Sequence, residues 1–190
     1  PHRMEAEAVR DATLFLAGSL DLTRGGPDID QAHGLTNPRR SLYFRNAKEK
    51  KVEFLSLFDS PNPVECYRRS ESIAPQQALA MANSTLTLAQ ARLLAKKIGE
   101  PLSGFADHAQ RQFVEAAFVR ILCRPPTGEE LAACLEFLAD ETTALNKSAS
   151  FTGFTSGPAA TVAPSANPSQ RARENLIHVL FNHNDFVTVR

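Results

Sequence analysis

The chain has 190 residues, of which 43% are hydrophobic and 22% charged, and its 21 basic and 21 acidic side chains cancel to a net charge of zero. This size and composition predict a globular protein that buries enough surface to fold without a metal or a disulfide. Zero net charge excludes a global field that would recruit nucleic acid, and no apolar run approaches the ~20 residues that a membrane span requires.

The N-terminal residues carry the first helical pattern. Apolar side chains recur at a period near 3.6 between residues 4 and 20, which predicts an amphipathic helix. The predicted core-facing stripe of this helix consists of Met4, Ala8, Ala12, Phe15, Leu16 and Leu20. Gly18, followed by Gly25, Gly26 and Pro27, ends the helix because glycine and proline are helix terminators.

The residues that follow predict little regular structure. Residues 21–38 combine turn formers with weak periodicity, which is typical of a loop. Residues 41–44, with the sequence SLYF, form a short extended candidate, and residues 52–58 form an apolar run of roughly two helical turns. We therefore expect at most a minor strand pair, near Ser41.

Residues 75–99 predict two helices in close succession. Pro75 suits the first turn of a helix that runs to about Asn83, since its missing N–H costs nothing there. Thr87 and Gln90 have the spacing of a capping box that starts the next helix. The apolar stripe and the end of that helix are given by Ala91, Leu94, Ala95, Ile98 and Gly99.

Three more helices are predicted towards the C-terminus. Residues 105–122 have helical spacing, and Thr127 with Glu130 forms a second capping box within the stretch RPPTGEEL. The last helix is predicted to begin near Ser169. The apolar stripes are Ala109, Phe113, Ala116 and Ala117 in the first, Leu131, Cys134, Leu135 and Leu138 in the second, and Ala172, Leu176, Ile177, Leu180 and Phe181 in the third.

The predicted fold class is mainly α, an irregular helical bundle with long loops. We expect one domain over residues 1–190, in which residues 147–169 form a flexible loop because they are small, polar and broken by proline and glycine. The first residues, PHRMEAEAVRDA, lack an apolar signal core and do not begin with Met. We therefore expect this chain to be a piece of a longer or processed protein.

Six separated phrases, in order, resemble one family: EAEAVRDATLFLAGSLDLTRGGP, RRSLYFR, LFDSPNP, CYRRSESIAPQQALAMANS, RPPTGEELAACLEFL and HVLFNHNDFVTVR. They are similar to the C-terminal domain of unknown function in large planctomycete proteins that carry a cytochrome c domain upstream. The resemblance covers nearly the whole chain except the 147–169 loop. It implies a helical fold and an exported or cell-envelope location, and it attaches no activity to the domain. The family pattern has glycine just before RPPT, where this chain has Cys123.

Motifs for common chemistry are missing from the sequence. There is no C-x-x-C-H for covalent haem attachment, no G-x-S-x-G nucleophile elbow and no H-E-x-x-H zinc site. The histidines are scattered, at His2, His33, His108, His178 and His183. We therefore expect no catalytic residue, no metal and no cofactor in this chain, and the stretch NHND, which contains His183, is interpreted as a C-terminal helix cap.

The three cysteines, Cys66, Cys123 and Cys134, have no C-x-x-C spacing and are too few for a disulfide scaffold. We expect buried thiols. A bridge between Cys123 and Cys134 stays open, because the two flank a helix junction and spacing alone cannot establish a disulfide.

The stretch DSPNPVECYRRSESIAPQQAL, residues 59–79, combines rigid prolines with paired arginines. Arg68 and Arg69 present five donors each, so they either fasten this loop to the neighbouring helix or bind an anion. A second basic stretch, NPRRSLYFRNAKEKK, adds Arg39 and Arg40, beside aromatic side chains that could stack on bases. The zero net charge favours an anionic glycan or an acidic partner over nucleic acid. The candidates for binding an anion or a partner are Arg39, Arg40, Arg68, Arg69 and Gln76.

Three hypotheses of function follow. The first is a non-catalytic interaction or accessory domain of an exported multidomain protein, which binds the upstream domains of its own chain or a protein partner. The second is part of an enzyme or binder that acts on sulfated or uronic polysaccharide through the candidate arginines. The third is a redox accessory that docks a c-type haem domain.

Overall fold

A computed structural model describes residues 2–65, 69, 75–102, 106–147 and 160–189. These residues form eight α-helices and one two-stranded antiparallel sheet. The elements are β1 (His2–Arg3), α1 (Ala6–Ala17), α2 (Glu53–Leu57), α3 (Pro75–Asn83), α4 (Thr85–Gly99), α5 (Ala106–Leu122), α6 (Gly128–Asn146), α7 (Pro168–Phe181), α8 (Asn184–Val187) and β2 (Thr188–Val189). Short 3-10 helices at Gln31–His33 and Ser41–Tyr43 lie in the segment between α1 and α2. The predicted mainly α class is confirmed.

Helix α7 lies at the centre of the core. It packs most extensively against α4 and α6, and it also contacts α3, α5 and α8. Its five predicted core residues, Ala172, Leu176, Ile177, Leu180 and Phe181, are all buried. Pro168 occupies the first position and Asn167 caps the helix by accepting the amide N–H of Gln170, so the local signals and the apolar stripe agree.

Helix α1 buries a different face from the predicted one. The buried positions are Ala6, Val9, Arg10, Thr13, Leu14 and Ala17. Of the predicted stripe, Ala8 and Phe15 are exposed, and Met4, Ala12 and Leu16 are only half-buried. The prediction was wrong because α1 has two apolar faces. The face that contains Ala6, Val9 and Leu14 is the one that packs into the core, where α1 contacts α4. Gly18 ends α1 in the left-handed conformation, as predicted, with φ of 82°.

The strand pair lies elsewhere than predicted. His2 pairs with Val189 and Arg3 with Thr188, whereas Ser41 begins a 3-10 helix. The amide and the hydroxyl of Ser41 both donate to Oδ1 of Asp11, at 2.8 and 2.6 Å. Through these hydrogen bonds, Asp11 of α1 holds residues 41–43 in a 3-10 turn. Local strand propensity contains no information about such a remote partner.

Helix α4 begins before the predicted capping box. Its N-cap is Ser84, and Thr87 is fully buried in the first turns of the helix. The side chain of Gln90 accepts a hydrogen bond from the hydroxyl of Ser19 at 2.6 Å and does not cap the helix. The prediction of a box at Thr87 was therefore wrong, because these side chains serve packing between α4 and the chain after α1.

The start of α6 matches its prediction in detail. The hydroxyl of Thr127 accepts the amide N–H of Glu130, and the carboxylate of Glu130 accepts the amide N–H of Thr127. Just upstream, Cys123 adopts φ of 55°, the left-handed region that glycine favours. Glycine, which we expect at this position from the family pattern, would adopt this conformation without strain.

The described part of the 147–169 segment is attached to the helices. The guanidinium of Arg92 donates to the carbonyl of Val162, and the carboxylate of Glu174 accepts the amide N–H of Ser165 at 3.2 and 3.3 Å. Residues 148–159 lie outside the described residues, so the predicted flexibility stays a prediction there. Within the described ranges, no helix combines the length and the apolarity needed to cross a bilayer.

Candidate functional site

A buried arginine that the sequence analysis missed joins α1 to the long loop after it. The side chain of Arg10 is fully buried. Its Nε donates to the carbonyl of Gly34 at 2.8 Å, its Nη1 to that of Arg39 at 2.9 Å, and its Nη2 to that of Asn37 at 2.5 Å. Its guanidinium carbon lies 4.7 Å from the ring centroid of Phe44. We call this arrangement the Arg10 cluster.

The Arg10 cluster holds the loop after α1 in place, because three carbonyl groups of that loop accept hydrogen bonds from one side chain of the helix. Burial lowers the pKa of Arg10 to about 10, and the carboxylate of Asp11, 3.6 Å away, works against that decrease. Gly34 is required beside it, because an added Cβ would collide with the side chain of Val52. A signal for Arg10 did exist in the sequence: it lies on the same face as the apolar residues Ala6 and Leu14.

Arg39, a predicted anion site, is engaged within the same loop region. Its Nη2 donates to the carbonyls of Thr23 and Gly25, at 2.8 and 2.7 Å. Its guanidinium stacks on Tyr43, 4.0 Å from the ring centroid, and its Nε lies 3.9 Å from the carboxylate of Asp21. These contacts hold the segment after α1 in place.

Arg40 and Arg69 pair with carboxylates of the N-terminal region. The Nε of Arg40 lies 3.8 Å from Asp11, and the Arg40 side chain is half-exposed. Arg69 donates to Glu7 at 3.0 Å and lies 3.6 Å from Glu5. Arg69 thus connects its loop to α1, which agrees with the interpretation of this residue as a fastening group.

The cleft that Arg69 lines does not include the other described anion-binding candidates. Arg69 lines a cleft of about 370 Å³, and neither Arg39, Arg40 nor Gln76 is among the residues that line it. Gln76 is exposed in the first turn of α3. Arg68 lies outside the described residues, so its predicted role stays a prediction.

A further arginine, Arg124, forms hydrogen bonds with carboxylates of α6 and α8. Its Nη1 and Nη2 donate to the two carboxylate oxygens of Glu130 at 2.8 and 2.7 Å, and its Nε donates to Asp185 at 2.9 Å. These hydrogen bonds raise the pKa of Arg124 and lower the pKa of Glu130 to about 2. Arg124 thereby links the first turn of α6 to α8.

An apolar groove of about 510 Å³ lies next to this arginine, and we call it the α1 groove. Its apolar lining comes from α1, the end of α5 and the C-terminal residues, and consists of Met4, Ala12, Phe15, Leu16, Ile121, Leu122, Phe186 and Val189. The side chain of Phe15 is 61% exposed and that of Val189 56% exposed. The stripe that the sequence assigned to the core therefore lines an open groove.

The polar groups at the α1 groove do not form a catalytic arrangement. Arg124 and Asp185 are bonded to each other, and Arg120 is exposed at the end of α5 with no ion pair among the described residues. Cys123 is an exposed free thiol, the carboxylate of Asp185 accepts a hydrogen bond from Arg124, and no histidine lies among the lining residues. The groove thus combines an apolar floor with Arg120 and the Arg124–Asp185 pair at its edge.

Of the three cysteines, Cys66 lies outside the described residues. Cys123 and Cys134 are both free, so the open possibility of a bridge between them is excluded. Burial raises the pKa of Cys134, which makes its thiol less reactive than an exposed one. The described ranges contain no cluster of three histidine, cysteine or acidic side chains that could hold a metal ion.

Helices, loops fastened by arginines and an open apolar groove together define a small helical domain. A family model matches residues 1–138, and the chain belongs to that family, the PSD1 proteins of unknown function (DUF1553). The matched range ends within α6, although α7 occupies the centre of the core. No curated protein and no solved structure matches this chain significantly.

Proposed function

We propose that this chain is a non-catalytic interaction domain that binds an apolar protein segment in the α1 groove. The observation that carries the proposal is that Ala12, Phe15 and Leu16 of α1, together with Met4 just before the helix, line an open groove. A large apolar side chain as exposed as that of Phe15, beside a groove with an apolar floor, is suited to contact with an apolar segment of another protein. In the larger context, the domain belongs to an exported multidomain protein of the planctomycete type, and the segment comes from an upstream domain or from a protein partner.

The charges at the groove specify the chemistry of the segment. Arg124 is paired with Glu130 and Asp185, so Arg120, which forms no ion pair with the described residues, is the guanidinium at the groove that can pair with a carboxylate of the partner. A partner segment that carries two or three apolar side chains and one acidic side chain complements this surface. The internal engagement of Arg10, Arg39 and Arg69 supports a binding surface of apolar side chains over one of arginines.

The proposal is tested with a displayed library of random 12-residue peptides, selected on the 190-residue chain. We expect the selected peptides to be apolar with an acidic residue. Their affinity should fall at least tenfold with Phe15→Ser and should also fall with Arg120→Glu. Leu22→Ser is the matched control, because Leu22 is also 61% exposed but does not line the groove. Absence of enriched peptides, or binding that Phe15→Ser leaves intact, contradicts the proposal.

A further inference from the structure

The two-stranded sheet has an open edge on the side of the α1 groove. Both residues of β2, Thr188 and Val189, line the groove, whereas neither residue of β1 does so. Successive side chains of a strand point to opposite faces of the sheet, so a groove that both residues line runs along the edge of β2 rather than over one face. The α1 groove therefore lies beside β2, on the side away from β1.

The backbone carbonyl of Thr188 points towards this open edge. The amide N–H of Met4, the residue after β1, donates to the carbonyl of Val187 at 2.8 Å, so the Val187 carbonyl points towards β1. Carbonyl groups alternate in direction along a strand of an antiparallel pair, so the carbonyl of Thr188 points away from β1. No described residue donates a hydrogen bond to it. An acceptor is thus free at the edge that borders the groove.

The surroundings of this edge suit a third strand. An unpaired strand edge is a template onto which an extended segment adds through main-chain hydrogen bonds, while contacts of alternate side chains give specificity. The same groove supplies apolar contacts through Phe15 and Leu16 of α1 and a guanidinium through Arg120. The strand edge, the apolar lining and the cation are therefore available to one bound segment.

We propose that the partner segment binds the α1 groove in an extended conformation, as a third strand of the sheet beside β2. This inference rests on the proposed function and adds to it the conformation of the bound segment. One N–H of the segment donates to the carbonyl of Thr188, side chains at positions i and i+2 contact the apolar lining, and one carboxylate pairs with Arg120. A helical segment would carry its apolar side chains at i, i+3 and i+4, and its internal N–H groups would already be bonded within the helix.

The peptides selected on the 190-residue chain test the inference through their sequence pattern and their backbone. We expect their apolar residues at alternate positions. Amide-to-ester exchange removes one N–H and keeps the shape of the peptide, and it is made at each position in turn. Exchange of the N–H that donates to Thr188 should weaken binding about fivefold, since one hydrogen bond is lost. Exchange at the next position, where the N–H points away from β2, is the matched control and should change the affinity less than twofold.

A measurement on the protein locates the same hydrogen bond. We expect an NMR scalar coupling across it, between the amide nitrogen of the bound peptide and the carbonyl carbon of Thr188. Thr188→Val keeps the backbone and removes only the side-chain hydroxyl, which donates to the carbonyl of Asn184, so it should change the affinity less than twofold.

The outcomes separate this inference from the proposed function. Peptides that need Phe15 but have helical spacing, or that tolerate every ester exchange, overturn the third strand and leave the α1 groove as the binding site. Absence of any enriched peptide overturns the proposed function, and the third strand with it.

Discussion

Arg10 in α1 donates a hydrogen bond from Nε to the carbonyl oxygen of Gly34, 24 residues later in the chain, over 2.8 Å. The same guanidinium reaches the carbonyls of Asn37 and Arg39, so one side chain satisfies three acceptors of an irregular loop. Carbonyl groups in such a loop receive no hydrogen bonds from the regular backbone ladder of a helix or a sheet. A guanidinium can replace those donors, because it carries several N–H groups at fixed angles. The loop conformation therefore depends on this residue more than on its own sequence.

Removal of the Arg10 guanidinium should destabilise the domain strongly. For Arg10→Met we expect the free energy of unfolding to fall by about 3 kcal/mol, because the side-chain volume is largely kept but three carbonyl acceptors, one of them fully buried, lose their donor. Urea unfolding measures the change. Limited proteolysis should show faster cleavage between residues 34 and 41, since the loop loses its attachment. Arg40→Met is the control, since Arg40 is half-exposed with one ion pair at 3.8 Å, and it should cost under about 0.5 kcal/mol. Equal losses in the two variants would contradict the role of Arg10.

Glycine at position 123 should stabilise the domain. Cys123 has φ of 55°, which costs an L residue about 1–2 kcal/mol relative to the right-handed region. Cys123→Gly removes this strain, and after the higher unfolded-state entropy of glycine a net gain of about 0.5–1 kcal/mol is expected. Cys123→Ala keeps the strain and should leave stability nearly unchanged, since the side chain is exposed. Thermal and urea unfolding of the three proteins decide the matter, and an alanine variant as stable as the glycine variant would refute it.

The Arg124–Glu130 pair should make stability depend on pH in the acid range. The pKa of Glu130 is about 2 in the folded protein, below its usual 4.5, so its contribution is complete above pH 4.5 and is lost as the pH falls towards 2. Both side chains are partly exposed, and solvent screening reduces the contribution to about 1 kcal/mol. Glu130→Gln should lose this amount at pH 7 and flatten the profile between pH 4.5 and 2. Glu129→Gln, in the same helical turn, serves as the control. It should neither lower the stability at pH 7 nor flatten the pH profile.

His178 should make stability decrease at mildly acid pH. Its Nε2 lies 3.0 Å from the carbonyl of Met81, so the neutral ring carries its hydrogen on Nε2, and burial lowers its pKa below 6.5. Because the folded pKa is the lower one, stability is complete above pH 6.5 and falls as the pH drops from 6.5 towards the folded value. His178→Gln should flatten this part of a urea-unfolding profile, whereas His33→Gln, at an exposed position, should leave it unchanged. A profile that both variants preserve would assign the pH dependence to other groups.

Most helices could be predicted because their signals are local. The Thr127–Glu130 box, Gly18 at the end of α1 and the stripe of α7 each lie within a few residues, so hydrogen bonds across one turn and burial of one face suffice to specify them. The exposure of Cys123, which was expected to be buried, and the strand pair at the two ends of the described chain could not be read from the sequence, since both depend on contacts between remote residues.

The sequence by itself determined a mainly helical protein without motifs for common catalysis, because hydrophobic periodicity and capping are short-range properties. Only the tertiary structure decided which face of α1 is buried, which acceptors Arg10 satisfies and where the two strands pair. The physical reason is that α1 is apolar on two sides and guanidinium groups are long and multidentate. The energies of the alternatives therefore differ through contacts between segments tens of residues apart, and no local pattern contains those contacts.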